Sequence, residues 1–368
     1  MKVALFSDCY LPRTGGIESQ VSDLAVRLQA AGHEVEVFTA TRGAKGERGG
    51  EVEIVDGVPV HRMALHLPGE LPINPMAPPV VRARLQDNGF DVAHVHLGVV
   101  SPFGWDMARV ATGLGLPTAL TFHCVLDKAA PMLRPALRTW AGQAAVLSAV
   151  SEVAAKGVRH ALSDVPVGVV PNGIDPRDWP VGPVRPTARP LRVVTATRLV
   201  LRKRAGALLR VVADAHARLG PGGVVLDVFG EGPMGTLLAS RSVALGLDDV
   251  VRWRGTVTRT ELARYYRDAD VYLSPTRLEA FGIAALEART TGLPVVARAD
   301  SGVGEVVTDG VSGLLAADDA GLTDALVRLG ADTTLRTRIA GHNASTPPSQ
   351  TWEHVVDLVL AEYRRAGA

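Results

Sequence analysis

Two carboxylates eight residues apart, Glu279 and Glu287, bracket a run of small residues in Ser274-Pro-Thr-Arg-Leu-Glu-Ala-Phe-Gly-Ile-Ala-Ala-Leu-Glu287. The preceding Val271-Tyr-Leu-Ser-Pro is apolar enough for a buried strand, and Ala280-Phe-Gly282 reads as a tight turn that opens a helix. A helix amino terminus presents unpaired N–H groups and a partial positive charge, which suits a phosphate. Carboxylates flanking it suit the hydroxyls of a sugar and a ribose. Together they describe a nucleotide-sugar site. Glu279 alone also fits a carboxylate serving its own first turn. That reading leaves Glu287 and the turn unexplained.

Arg198 and Lys203 lie five residues apart in Arg198-Leu-Val-Leu-Arg-Lys203, directly after an apolar strand. A nucleoside diphosphate gains negative charge as its glycosidic bond breaks, and two fixed cations stabilise that charge without a metal. Arg202 and Arg204 read as an ordinary solvated basic run. No Asp-x-Asp motif is placed to suggest a metal-dependent diphosphate site. Gly15-Gly16 lets the backbone approach a ligand closely, or simply makes a tight turn. His123 ends a buried strand beside Cys124; His94 and His96 share a strand face. Those four residues could be weighed as zinc ligands, but their spacing matches no recognised zinc pattern. Gly230-Glu-Gly-Pro-Met-Gly235 mimics a dinucleotide fingerprint. It follows a later strand of its half, and no acidic residue ends the next strand, Val250-Val-Arg-Trp253, to hold an adenosine ribose.

The elements that must position these residues alternate strand and helix. Val3-Ala-Leu-Phe-Ser7 is a strand. Ile17, Val21, Leu24, Ala25 and Leu28 then fall on one helical face, and Glu34–Thr39 is the next strand. That is the opening unit of a parallel α/β sheet. Further strands are expected at 91–96, 117–122 and 145–150, with Val167–Asp175 closing a first half. Pro176, Pro180, Pro183, Pro186 and Pro190 mark a stiff linker over 176–190. The pattern restarts at Leu191, with strands at 224–229, 250–253, 271–274 and 294–297. The expected domains are 1–175 and 191–346, followed by a terminal helix over 350–368.

At 368 residues two domains are the prior. With 47% hydrophobic and 21% charged residues the chain is a packed protein rather than a disordered one. A net charge of +1 gives no footprint for nucleic acid. Two cysteines, Cys9 and Cys124, are too few for a disulfide framework and read as reduced. The first residues, Met-Lys-Val-Ala-Leu-Phe-Ser-Asp, carry too short an apolar run for a signal peptide, and with no uninterrupted apolar span of about 18 residues a transmembrane helix is not expected. The expected location is cytoplasmic, with peripheral contact at the inner membrane face as the variant of that expectation.

Glu279 to Glu287, Arg198 to Lys203, Pro171-Asn-Gly-Ile-Asp175, Gly15-Gly16 and Thr121-Phe-His123 occur in order along the whole chain. In this the sequence resembles family 4 of the retaining glycosyltransferases. The resemblance implies the α/β fold called GT-B, two Rossmann-like doubly wound domains facing a central cleft, with the final helix crossing back to the first. It implies a hexosyl transfer from a UDP- or GDP-linked sugar, with no metal and no other cofactor. Glu279 would contact the donor sugar, Glu287 the ribose, and the amides of Phe281, Gly282 and Ile283 the sugar or diphosphate. Arg198 and Lys203 would hold the diphosphate, His123 the sugar from the first domain. Gly16, with the Gly-x-Gly-Pro turn at Gly230, completes the donor site, and the base pocket falls near Arg252–Val257. Glu18 and Lys128 are the acceptor candidates.

The first half most resembles phosphatidylinositol mannosyltransferases, which dock on membranes through a basic amphipathic helix. The matching segment, Pro79–Asp87, carries only Arg82 and Arg84, which argues less for membrane contact. Val99 stands where a polar acceptor contact is expected in the lipid enzymes. A lipid-linked acceptor, a soluble metabolite and an antibiotic precursor all stay open. Two other functions stay open as well: a nucleotide-sugar epimerase or hydrolase, and a silent sugar-nucleotide-binding protein.

Overall fold

The computed structural model describes residues 1–65, 72–126, 145–162, 165–184 and 189–368. The chain divides into two compact units, one of Met1–Gly173 with Trp352–Ala368, the other of Ile174–Thr351.

The first unit is built on an eight-stranded sheet. It comprises β1 (Lys2–Ser7), β2 (Glu34–Thr39), β3 (Glu51–Val55), β4 (Val58–Arg62), β5 (Val92–Leu97), β6 (Thr118–Phe122), β7 (Ala145–Ala149) and β8 (Val167–Val169). Their order is β3-β4-β2-β1-β5-β6-β7-β8. Only β3 runs antiparallel, against β4. Ser7 pairs with both Thr39 and His96, and Leu97 with Phe122, so the carboxyl ends of the central strands finish level. Helices α1 (Gly16–Ala30), α2 (Ala77–Asp87), α3 (Pro102–Gly113) and α4 (Glu152–Ala161) belong to the same unit. In α1 the buried Val21, Leu24, Ala25 and Leu28 form one stripe. That stripe joins Val3, Leu5 and Val92 in a core that also takes Trp352, Val355, Val359 and Tyr363 from the terminal helix (Trp352–Ala366).

Every residue of β5 is buried, as a parallel strand covered on both faces requires. Gly173, in the Pro171–Asp175 motif, has no side chain because the Trp352 indole lies where a Cβ would go. Gln20 holds Gly173 with two bonds, donating to its carbonyl at 2.9 Å and accepting from its N–H at 2.8 Å.

The second unit repeats the plan with six parallel strands: β9 (Leu191–Ala196), β10 (Val224–Phe229), β11 (Val251–Gly255), β12 (Val271–Ser274), β13 (Val295–Arg298) and β14 (Gly313–Ala316). Their order is β11-β10-β9-β12-β13-β14. Its core gathers Leu208, Val212, Leu226, Leu273, Val296, Leu326 and Ile339. The proline-rich segment contributes to this unit: Trp179 is buried and stacks on Tyr266, with ring centroids 5.7 Å apart. Among the described residues no helix is long and apolar enough to cross a membrane.

Candidate functional site

In the second unit, β12 delivers the chain to Glu279, and α5 (Ile283–Thr290) begins four residues later. Gly282 caps that helix with φ +90°, a conformation open to glycine, and a Cβ there would strike Val303. No side chain caps the helix start, which leaves its first N–H groups for a ligand. Behind the turn, Gly302 donates its N–H to the Glu279 carbonyl at 2.8 Å. A Cβ on Gly302 would collide with the backbone of Ala280 and Phe281, so this glycine forms the floor of the turn. Phe281 is buried; Ile283 and Glu287 are half-buried. Burial raises the Tyr272 hydroxyl pKa well above its ordinary value, and the charges of Glu279 and Glu287 raise it further. The two carboxylates thus act on one point of β12.

Lys203 reaches the same turn. Its Nζ donates to Glu279 Oε2 at 2.6 Å, with both side chains about one-fifth exposed. The expectation that Arg204 is solvated is not met. Arg204 sits at φ +56°, donates to the Pro275 carbonyl at 2.9 Å and grips both oxygens of Asp319 at 2.9 Å. Thr276 adds a bond from its hydroxyl to the Lys203 carbonyl at 3.3 Å. The basic loop is therefore tied to the β12 exit at three points. Arg198 stays exposed, and among the described residues no ion pair holds its guanidinium. The arrangement offers a free cation, a cation paired with a carboxylate and open helix amides, a set that can neutralise a diphosphate.

Gly230 (φ +110°) and Gly232 lie against the carbonyls of Thr197 and Leu199, where no Cβ fits. Leu199 donates to Glu231 and accepts from Met234. These glycines are accounted for by close packing on the Arg198 loop, which removes the need for a dinucleotide. Val257 is half-buried just ahead of Thr258, whose capping box with Glu261 starts the next helix. Asp268-Ala-Asp270 precedes β12, at the opposite end of the sheet from Glu279. Asp270 there bonds the Arg192 backbone at 2.8 Å.

In the first unit the loop after β1 carries Asp8 and Gly15, and the first turn of α1 carries Gly16 and Glu18. Gly16 is exposed at the start of α1. Glu18 is buried, folds back over Gly15 and pairs with Arg13 at 3.3 Å. Asp8, which spacing does not single out, is buried and accepts from the N–H groups of Phe103 and Gly104 at the start of α3. Burial pushes its pKa up to about 7.

His123 follows β6 and meets His96 across the strand ends, Nε2 to Nδ1 at 2.9 Å. Burial lowers its pKa to about 4. His94 spends both ring nitrogens on hydroxyls, Tyr363 at 2.9 Å and Thr121 at 2.7 Å, which leaves it no lone pair for zinc. Among the described residues no group of three or more His, Cys, Asp or Glu is arranged to hold a metal. Lys128 lies outside the described residues. In α2, Arg84 is engaged with Glu36 at 3.1 Å, which leaves the helix a weaker basic face than the count of two arginines suggests.

Residues 14–178 match the family model Glycosyltransferase Family 4, and residues 190–332 match the model Glycosyl transferases group 1. A D-inositol 3-phosphate glycosyltransferase of Thermobifida fusca is 30% identical over 96% of this chain and 89% of its own. A sucrose-phosphate synthase of Thermosynechococcus elongatus superposes with TM-score 0.78 at 20% identity, over 99% of this chain and 98% of its own. Anabaena HepE, solved with UDP and glucose, gives TM-score 0.76 at 20% identity, over 98% of both chains. The two units have the GT-B architecture of these structures. The chain belongs to glycosyltransferase family 4 and is a glycosyltransferase.

Proposed function

We propose that this glycosyltransferase moves a hexosyl group from a UDP- or GDP-linked sugar to an acceptor hydroxyl, with retention and without a metal cofactor. The observation that carries this is the Lys203–Glu279 pair at 2.6 Å, set beside exposed Arg198 and the uncapped start of α5. Arg198 and Lys203 take the diphosphate charge, and the α5 amides add donors to it. Glu279 and His123 orient the sugar, and Glu287 binds the ribose. A double displacement needs a carboxylate nucleophile beneath the anomeric carbon, and the family pattern supplies none.

The front-face route is therefore preferred. The acceptor oxygen bonds to the anomeric carbon on the side from which the diphosphate leaves. The carbon–diphosphate bond breaks, and a departing diphosphate oxygen takes the acceptor proton. The name of the Thermobifida relative makes a phosphorylated cyclitol the first acceptor to try. A lipid-linked acceptor is the second, tested by sedimentation with anionic vesicles.

A thermal-shift screen with UDP, GDP, ADP and dTDP and their sugars, each with and without EDTA, tests the donor half. Ligands that bind the folded state raise its melting temperature by mass action. Stabilisation by UDP or GDP that EDTA leaves unchanged is expected. A shift that EDTA abolishes removes the metal-free claim, and no shift with any nucleotide removes the donor site. Product analysis completes the test, because free sugar or an epimerised donor replaces transfer with hydrolysis or epimerisation.

A further inference from the structure

His96 has no proposed contact with substrate, yet it holds the His123 ring that does. It is buried at 4% exposure, its ring 4.1 Å from that of His94 and 5.2 Å from that of His123. Its Nδ1 lies 2.9 Å from His123 Nε2. Its Nε2 is buried and has no hydrogen-bond partner. Burial keeps all three rings neutral near pH 7, with His94 lowered to about 3 and His123 to about 4.

A neutral imidazole carries one N–H and one lone pair, so across the 2.9 Å contact one ring donates and the other accepts. Were His123 the donor, the single proton of His96 would sit on Nε2, a buried N–H with no acceptor. Orphaned buried N–H groups are rare, rarer than under-satisfied acceptors. We infer that His96 donates from Nδ1 to His123 Nε2 and so fixes His123 as the Nδ1–H tautomer. His123 then presents a hydrogen-bond donor, not an acceptor, from the one ring nitrogen that bonds nothing among the described residues. His96 is a positioning residue, acting on substrate through His123. The tautomer stands on the contact geometry and on the neutrality of the buried rings; its use rests on the proposed contact of His123 with a donor-sugar hydroxyl oxygen.

Full-length protein with nitrogen-15 in its histidine rings tests this by long-range nitrogen–proton correlation, with His123→Gln assigning the signals. Wild type is expected to show His123 protonated at Nδ1 and bare at Nε2. His96→Asn, whose side-chain amide can donate from the place of Nδ1, is expected to retain that tautomer; His96→Leu is expected to lose it. In transfer assays His96→Leu should raise the donor-sugar KM about tenfold, with His96→Asn recovering most of the loss. His123 protonated at Nε2 in wild type overturns the inference, even if His96→Leu fails to fold. So does an unchanged donor KM in a folded His96→Leu. Wild type that neither binds nor turns over nucleotide sugars refutes the proposed function instead, while the nitrogen-15 arm still decides the tautomer.

Discussion

The two units bring opposite chemistry to equivalent places. At the carboxyl ends of its strands the first unit sets buried His96 and half-buried His123, both neutral, beside Asp8, whose burial lifts its pKa to about 7. The same edge of the second unit carries Lys203 and Glu279, an ion pair in partial contact with solvent, and exposed Arg198. Both follow from one rule. A charge is kept where water or a counter-ion can reach it and is suppressed where neither can. Neutral groups discriminate hydroxyl donors from acceptors, whereas charges neutralise a diphosphate. A family that joins a sugar to an acceptor needs both.

Breaking the charged half should cost most. Glu279→Ala removes the proposed sugar contact and the partner of Lys203, and transfer is expected to fall about a thousandfold, with the melting temperature little changed. Turnover at the wild-type rate would end the assignment of Glu279. Lys203→Ala is expected to lower kcat about a hundredfold, because Arg198 survives as the second proposed diphosphate contact. Loss confined to KM would mean that Lys203 binds donor and transition state alike.

How much of this could be read beforehand differs between the two units. The β5 strand and α1 declare themselves through apolar periodicity, and the β12–α5 turn through Ala280-Phe-Gly282 between its carboxylates. The β3–β4 hairpin is absent from the expected strands, although Asp56-Gly57 between two valine-rich runs is a strong hairpin signal. The role of Arg204 is not legible locally, because its partner, Asp319, is 115 residues away, and no local pattern carries that distance. The same holds for Gly302, since what forbids its side chain is the backbone of Ala280. Asp8 reads as a polar residue after a strand until the start of α3 is found above it. Chemistry-bearing residues were visible by type and spacing; the residues that hold them in place were not, because their reasons lie in tertiary contacts.

Arg204 sharpens this distinction between contact and support. Arg204→Ala should reduce transfer about tenfold, less than Lys203→Ala, since the loop loses its tie to Pro275 and Asp319 but keeps its cations. Arg204→Gly loses the same tie yet relieves the left-handed backbone. The glycine variant is expected to be the more stable of the two by about 1 kcal/mol in urea unfolding. Equal stability would mean that φ +56° costs nothing here.

The smallest effect probes the neutral half through pH. His94, His96 and His123 have folded-state pKa values below the ordinary 6.5, through burial. Below pH 6.5 the unfolded chain therefore takes up protons that the folded chain refuses, and stability falls as pH drops toward 5. Asp8 acts in the opposite sense. Its folded pKa of about 7 lies above the ordinary 3.8, so the native state keeps a proton that the unfolded chain sheds, and acid favours folding. His33, lowered by burial, acts with these histidines, and Glu362, raised by burial, acts with Asp8. The histidines outnumber the carboxylates, and the net effect of acidification between pH 6.5 and 5 is destabilisation. Glu36, lowered to about 2, adds to the acid loss only below this window. Asp8→Asn removes one opposing contribution while its side-chain oxygen can still accept from the start of α3. The acid limb of the stability curve should steepen by about 1.4 kcal/mol per pH unit, and stability at pH 8 should rise because no buried carboxylate remains to ionise. Urea unfolding at pH 5, 6, 7 and 8 measures both. An unchanged slope would place the Asp8 carboxylate in contact with water and return it to the ordinary range. The contrast between a neutral first unit and a charged second would then rest on its histidines alone.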